Sequence, residues 1–222
     1  MPHEEAGGRR RRPLVYKGEE LCCSWRLEEE ARAAGFSCVA GIDEVGRGAL
    51  CGPVVACAVV LDAGFPTEGV DDSKRLTRRQ RERLAEHIRG GARACAVGLA
   101  EPWEIDRHNI LRATHLAMRR ALEGLSAAPD HILVDGSTIS EVKTPQRAVV
   151  KGDAISVSIA AASIVAKVSR DGLMRDWDQR CPGYGLARNM GYGSREHLEA
   201  LHKLGPSEIH RRSFTGTQPW LF

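Results

Sequence analysis

Cys38-Val39-Ala40-Gly41-Ile42-Asp43-Glu44-Val45-Gly46-Arg47-Gly48 is the stretch on which the reading of this chain turns. An apolar run ends in two adjacent carboxylates, and a Gly-Arg-Gly turn follows at once. Apolar runs of this kind read as buried strands. Charged side chains are almost never fully buried unless they are paired or bound to metal. Two acids at a strand end beside a glycine-rich turn therefore predict a metal site with backbone N–H groups close by. A hard cation beside a phosphate-sized pocket points to phosphodiester chemistry.

Working outward, further strands are expected at 53–61 and 94–100, and the short glycine-containing connection after Gly48 predicts a hairpin with the first strand. Helices are expected over 19–34, 77–89 and 101–125, the last from apolar positions Ile105, Leu111, Leu116, Met118 and Leu122 near helical spacing. Two more apolar runs end in acids. Ile132-Leu133-Val134 leads into Asp135-Gly136, and Ala148-Val149-Val150 leads into Lys151-Gly152-Asp153. A long helix should start near Ala154, and its small-residue run Ala160-Ala161-Ala162 predicts close packing on a sheet. Residues 1–17 read as a disordered basic tail, 18–214 as one catalytic domain ending in a helical part, and 215–222 as a C-terminal tail. A strand meander followed by alternating helices and strands predicts an α/β domain with a mixed central sheet flanked by helices.

Composition narrows the function classes. The chain has 222 residues, 42% of them hydrophobic and 27% charged, which is ordinary for a water-exposed globular domain. No apolar stretch approaches the ~18 residues of a membrane span, and the N-terminus carries no apolar signal core. A cytoplasmic protein acting as a monomer, with no membrane partner, is the expectation. The net charge of +3 is compatible with nucleic acid. Arginines cluster at Arg9 to Arg12, Arg75 to Arg83 and Arg211-Arg212, each run being equally readable as solvated surface. Seven cysteines without CxxC spacing read as reduced thiols, with no zinc-like Cys/His spacing.

The chemistry rests on recurrence. One aspartate after a strand is usually a turn residue or helix cap, but here Asp43-Glu44, Asp135 and Asp153 follow separate apolar runs. Four carboxylates at one sheet edge repel unless cations neutralise them. Mg²⁺ or Mn²⁺ suits an all-oxygen donor set and takes a substrate phosphate as an additional ligand. Asp171 competes for the fourth place. At ~1.5 Å per residue along one continuous helix, however, it would lie ~27 Å from Asp153, and it more naturally makes a surface pair with Lys167 four residues earlier.

Several ordered motifs resemble one known family. They are Gly41 to Gly48, Asp72-Ser73-Lys74, Val134-Asp135-Gly136, Lys151-Gly152-Asp153, Ala160 to Asp171, Pro182-Gly183-Tyr184-Gly185, Gly191-Tyr192-Gly193 and His210-Arg211-Arg212-Ser213-Phe214. Together they resemble type 2 ribonuclease H, ribonuclease HII, over about residues 36–214. The resemblance implies a ribonuclease H-like fold. It implies cleavage of the RNA strand of RNA–DNA hybrids, and incision at a single ribonucleotide within duplex DNA that leaves 5′-phosphate and 3′-hydroxyl ends. By motif position, Asp43, Glu44, Asp135 and Asp153 are the implied metal-binding acids. Gly46, Arg47 and Gly48 are the implied turn that reads the 2′-hydroxyl at the RNA–DNA junction, and Tyr192 the aromatic that stacks on the neighbouring sugar. Phosphate contacts are expected from Lys74, Ser163 and Lys167, with a packing role for Ser163 and a paired or solvated Lys167 as the alternatives. His210 to Arg212 is either a basic edge or a structural clasp. The sister enzyme, ribonuclease HIII, carries a sizeable N-terminal substrate-binding domain, for which the residues before the first strand show no pattern.

The tail departs from these motifs. Gln218-Pro219-Trp220-Leu221-Phe222 is similar to the Gln-x-x-Leu-Phe peptides that dock into the bacterial sliding clamp. Gln218, Leu221 and Phe222 are therefore candidate clamp contacts, with packing on the domain as the alternative. Two readings from other classes stand beside the nuclease: a non-catalytic adaptor on the same fold, and a metal-dependent phosphohydrolase acting on nucleotides.

Overall fold

A computed structural model describes residues 14–16, 19–21 and 23–217, Asp72 excepted. Leu14–Tyr16 (β1) and Glu19–Leu21 (β2) pair as a small antiparallel ribbon. Residues 14–16, expected in a disordered tail, thus form a strand. The helix expected over 19–34 shrinks to Arg26–Ala33 (α1).

The main sheet has five strands: Val39–Val45 (β3), Val54–Val60 (β4), Ala94–Ala100 (β5), His131–Asp135 (β6) and Gln146–Val149 (β7). Their order is β5-β4-β3-β6-β7, with β3 at the centre. The β3–β4 pair is antiparallel, as the hairpin reading predicted, and so is β4–β5, while β3–β6 and β6–β7 are parallel. The sheet is therefore mixed. Because β3 and β6 run in parallel with Ile42 opposite Val134, the next residues, Asp43 and Asp135, lie side by side in the sheet.

Side chains alternate across a strand, and β4 shows it. Val54, Ala56 and Ala58 enter one core layer with Ile42, Ile132, Val134 and helix Ile110–Glu123 (α4). Cys57 and Val59 enter the opposite layer with helices Arg78–Gly91 (α2) and Val157–Arg180 (α5). Glycine permits the close fit on both faces. A Cβ on Gly41 would sit 2.2 Å from the Ser158 carbonyl carbon, so only a bare backbone lets α5 lie this close to β3. On the other face, Gly98 meets the Ala117 carbonyl oxygen at 2.2 Å in the same way.

The helix expected over 101–125 is broken into Pro102–His108 (α3) and α4. Asn109 makes the break. Its φ is +68°, and its Oδ1 caps α4 by accepting from the N–H groups of Leu111 and Arg112 at 3.0 and 3.1 Å. Asparagine tolerates positive φ and favours N-caps. The small-residue helix α5 starts at Val157, three residues later than expected. Its N-terminus is anchored by Glu28, 1% exposed, whose Oε1 accepts from Ser156 Oγ at 2.5 Å, Ser158 N at 2.9 Å and Ser158 Oγ at 2.6 Å.

The helical C-terminal part consists of Leu186–Asn189 (α6) and Arg195–Leu204 (α7). A third apolar cluster of Leu50, Met174, Tyr184, Leu186, Leu201 and Ile209 joins it to the far half of α5. Thr217, expected in the tail, is buried, with its hydroxyl donating to the carbonyls of Arg211 and Phe214. Gln218, Leu221 and Phe222 lie outside the described residues. No helix among the described residues is long and apolar enough to cross a membrane.

Candidate active site

A cleft of about 410 Å³ opens where β3 and β6 end, lined by Asp43, Glu44, Asp135, Ser73, Lys74, Arg81, Ser163, Lys167 and Tyr192. Period-two alternation points Asp43 and Glu44 to opposite faces of β3. Asp43, 6% exposed, faces α5, whereas Glu44 also borders a smaller neighbouring pocket with Asp135, Arg47 and His115. Asp135 is oriented by the Gly152 amide, which donates to its Oδ1 at 2.7 Å.

Asp153 differs from the expectation of a strand-end acid. It sits on a single 3-10 turn, Gly152–Ala154, between β7 and α5, after Lys151 at φ +56°. It is buried, and Lys74 Nζ meets its Oδ2 at 2.8 Å.

The electrostatics are those of crowded acids. Burial pushes the Asp43 carboxyl well above its usual range, and the charges of Glu44, Asp135 and Asp153 add to the rise, against a hydrogen bond from Ser163. Burial also raises Glu44, against the pull of the Arg47 guanidinium 3.3 Å away. Asp135 is raised by burial and by Asp153, against the Gly152 and Gly136 amides and Lys74. Such a site gains from a cation. All four donors are carboxylates, the set that suits Mg²⁺ or Mn²⁺. Among the described residues, Cys51, His197 and His210 form a group of three whose ligand-type atoms all lie within 4.8 Å of one another.

The cations expected to meet phosphate are placed at the cleft. Lys74 is at the rim with its side chain 78% exposed. Lys167 lines the wall while paired to Asp171 at 2.7 Å. That pair is not the surface pair expected, because Asp171 is buried; neither Asp171 nor Asp153 lines the cleft itself, but Asp153 is joined to it through Lys74 and its charge raises Asp43 and Asp135, whereas Asp171 is held by Lys167. Ser163 does more than pack: its Oγ lies 3.0 Å from Ser73 Oγ on the cleft wall.

The Gly46-Arg47-Gly48 turn forms the adjoining rim. Gly46 has φ +95°, and a Cβ there would strike the Arg170 side chain at 2.1 Å. Arg47 and Gly48 are exposed, with open space where a Gly48 Cβ would stand. Tyr192, 37% exposed, lies nearby with its ring 5.4 Å from the Arg170 guanidinium carbon.

The sequence matches the protein-family model for ribonuclease HII over residues 40–217. The chain belongs to the ribonuclease HII family. It is 53% identical over 207 residues to the ribonuclease HII of Desulfitobacterium hafniense strain Y51, covering 93% of this chain and 80% of that one. It is 51% identical to the Geobacter sulfurreducens ribonuclease HII, covering 89% and 91%. Among solved structures, ribonuclease H2 from Pyrococcus horikoshii OT3 superposes with a TM-score of 0.72 at 29% identity, covering 82% of this chain and 95% of that one. The ribonuclease HII of Archaeoglobus fulgidus, solved in complex with PCNA, gives 0.67 at 26% identity, covering 80% and 96%. As a ribonuclease HII, this chain is a metal-dependent hydrolase.

Two features of the chain escaped the sequence reading, and the structure decides a third that the sequence left open. Arg81, absorbed into a basic run, lines the cleft and donates to the carbonyls of Ser73 at 2.9 Å and Leu76 at 2.6 Å, holding the turn that presents Lys74. Arg170 is fully buried and donates to the carbonyls of Pro53, Met190 and Cys51. Between basic edge and clasp, His210 and Arg211 are the clasp: both are buried, and Arg211 donates to the Arg47 carbonyl at 2.9 Å and to the Gly52 carbonyl. No local signal marks these arginines, because Arg170 sits among Lys167, Ser169 and Asp171 and the other two lie in basic runs.

Proposed function

We propose that this ribonuclease HII is an endonuclease that hydrolyses the RNA strand of RNA–DNA hybrids. It also incises on the 5′ side of single ribonucleotides in duplex DNA, leaving 5′-phosphate and 3′-hydroxyl ends. The observation that carries the reading is one cleft lined by raised, crowded carboxylates and Tyr192, next to a smaller pocket that shares Glu44 and Asp135 with Arg47 of the Gly46-Arg47-Gly48 turn.

Asp43, Glu44, Asp135 and Asp153 would hold two divalent ions, Mg²⁺ or Mn²⁺. Such ions, when bound, activate water and stabilise the leaving oxygen of an in-line displacement. The chain's own residues do the rest. Lys74 exchanges its Asp153 partner for a substrate phosphate, which a point charge on a flexible stem allows. Lys167 and Ser163 fix the next phosphates along the cleft wall. The exposed backbone of Arg47 and Gly48, after the buried Gly46, approaches the ribose closely, and its hydrogen-bonding groups distinguish a 2′-hydroxyl from its absence. Tyr192 presents a ring to the sugar on the far side of the junction.

A labelled RNA–DNA hybrid tests this directly. Cleavage should be internal, confined to the RNA strand, and leave 5′-phosphates. Hydrolysis of free mononucleotides, with the hybrid left intact, would favour the phosphohydrolase reading instead.

For the tail we keep the clamp as partner, on the Gln218-Pro219-Trp220-Leu221-Phe222 pattern and on the PCNA-bound state of the Archaeoglobus relative. Capture by immobilised clamp should vanish on deletion of residues 218–222. Capture that survives the deletion would rule the tail out.

A further inference from the structure

Tyr192 stands between two glycines, Gly191 at φ +79° and Gly193, so its own backbone does little to fix it. Its carbonyl nevertheless accepts two hydrogen bonds, from Ser194 N at 2.7 Å and from His197 Nδ1 at 3.0 Å. His197 Nε2 lies 3.0 Å from His210 Nε2, and His210 Nδ1 lies 3.0 Å from the Ser207 amide nitrogen. Both imidazoles are buried, at 0% and 2% exposure.

The Ser207 N–H can only donate, and that sets the direction of every bond in the chain. His210 Nδ1 accepts, so its Nε2 carries the proton and donates to His197 Nε2. The proton of His197 is then on Nδ1, aimed at the Tyr192 carbonyl. Each ring is neutral with one proton, and no polar atom of the pair is left over. A cation would be misplaced here, because the Arg170 and Arg211 guanidinium groups are buried in the same region and meet the backbone of Cys51 and Gly52. Cys51 brings a thiol near the two rings, but burial pushes it up to about 12 and it stays protonated.

The far end of the chain of bonds is tied to the Gly46–Gly48 turn. His210 bridges Cys51 in antiparallel fashion, its neighbour Arg211 holds the Arg47 carbonyl, and Leu50 N donates to Gly191 O at 2.8 Å. One hydrogen-bonded path thus runs from the turn through His210 and His197 to Tyr192.

We propose that His197 and His210 are positioning residues that hold Tyr192 in register with the Gly46–Gly48 turn, so that the enzyme recognises a lone ribonucleotide in DNA. This rests on the junction-reading roles given to Tyr192 and the turn under Proposed function. A continuous RNA strand offers many registers to the cleft, whereas a lone ribonucleotide offers one. Loosening Tyr192 therefore costs more on the second substrate.

The test compares kcat/KM on a DNA duplex carrying one ribonucleotide with kcat/KM on a uniform RNA–DNA hybrid, for the full chain. His197→Leu removes the donor to Tyr192 and should lower the single-ribonucleotide to hybrid ratio by about tenfold, the scale of one lost hydrogen bond. His197→Asn keeps a donor at the Nδ1 position and should recover most of the ratio. Tyr192→Ala should lower the ratio as well, and Tyr192→Ala combined with His197→Leu should lower it no further. Equal losses on both substrates, or a further fall in the double variant, would overturn the positioning role. A Tyr192→Ala ratio at the wild-type value would instead overturn the junction role of Tyr192, and the relay's function with it. Should His197→Leu not fold, His210→Gln, which keeps a donor towards His197, and His210→Asn, which does not, form the replacement pair. The ratio should then fall only for His210→Asn, and equal ratios for the two would count against the relay.

Discussion

Gly41→Ala adds one methyl two residues before Asp43, and the structure states where it goes. The new Cβ would lie 2.2 Å from Ser158 C, 2.4 Å from Ile159 N and 2.5 Å from Ser158 O. All three are backbone atoms of the α5 N-terminus, so no side chain can swing away. Restoring contact from 2.2 to 3.4 Å requires the first turn of α5 to move by about 1.2 Å. Overpacking of this kind costs about 1–3 kcal/mol. At about 2–4 °C of Tm per kcal/mol for a chain of this size, the melting temperature should drop by several degrees, up to ~12 °C. The same shift carries the turn bearing Asp153, and Ser163 farther along the helix. A misplacement of ~1 Å at a catalytic constellation costs about 10²-fold, so kcat should fall about 100-fold with KM little changed. Gly90→Ala is the control. Its Cβ would meet nothing within 4 Å, and alanine suits the helix better, so Tm should hold or rise and kcat should stay the same. Thermal melts and steady-state cleavage of a hybrid measure both quantities. Wild-type Tm and kcat for Gly41→Ala would refute the claim that α5 and the acids are locked together through this contact.

Asp43→Asn should reduce turnover by at least about 10³-fold while leaving duplex affinity within a few-fold. The variant should also be more stable than wild type in metal-free alkaline buffer. The Asp43 carboxyl is raised in the folded state, so the folded protein binds more protons than the unfolded chain above the ordinary Asp range. Stability is therefore full in acid and is lost as pH rises through the folded value. Melts of both forms in chelator from pH 5 to pH 9 check this, and a wild-type Tm whose pH profile runs parallel to the variant's would contradict it. Arg170→Met leaves the carbonyls of Pro53, Met190 and Cys51 without their donor in a buried setting. At about 1–3 kcal/mol for each unsatisfied group, unfolding free energy should drop by roughly 3 kcal/mol or more, as denaturant titration would show. A loss under 1 kcal/mol would mean water replaces the guanidinium.

The parts of the fold that could be read in advance are those governed by local pattern. β3, β4 and β5 declare themselves as apolar runs between turn residues, and their bounds fall within a residue or two of those expected. The acids Asp43, Glu44 and Asp135 follow from the same runs. Asp153 was legible as an acid near the site but not as a turn residue, because the strand before it ends at Val149 and positive φ at Lys151 redirects the chain. The break at Asn109 was hidden because apolar spacing continues across it from Ile105 to Leu122. Least legible were the buried arginines and the buried histidine pair. Arg170 and Arg211 satisfy carbonyls contributed by segments up to 164 positions away, a relation no local window contains. The His210 to Arg212 run stayed open between edge and clasp because charge is usually at the surface.

The central claim, that the raised carboxylates and the Gly46-Arg47-Gly48 turn act on one phosphodiester, is tested most directly on one substrate. A labelled DNA duplex carrying a single ribonucleotide is incubated with the enzyme in Mg²⁺ and again with chelator. The account predicts one incision, on the 5′ side of the ribonucleotide, that chelator abolishes. No incision of that duplex in Mg²⁺ or Mn²⁺, or a cut that persists in chelator, would contradict it.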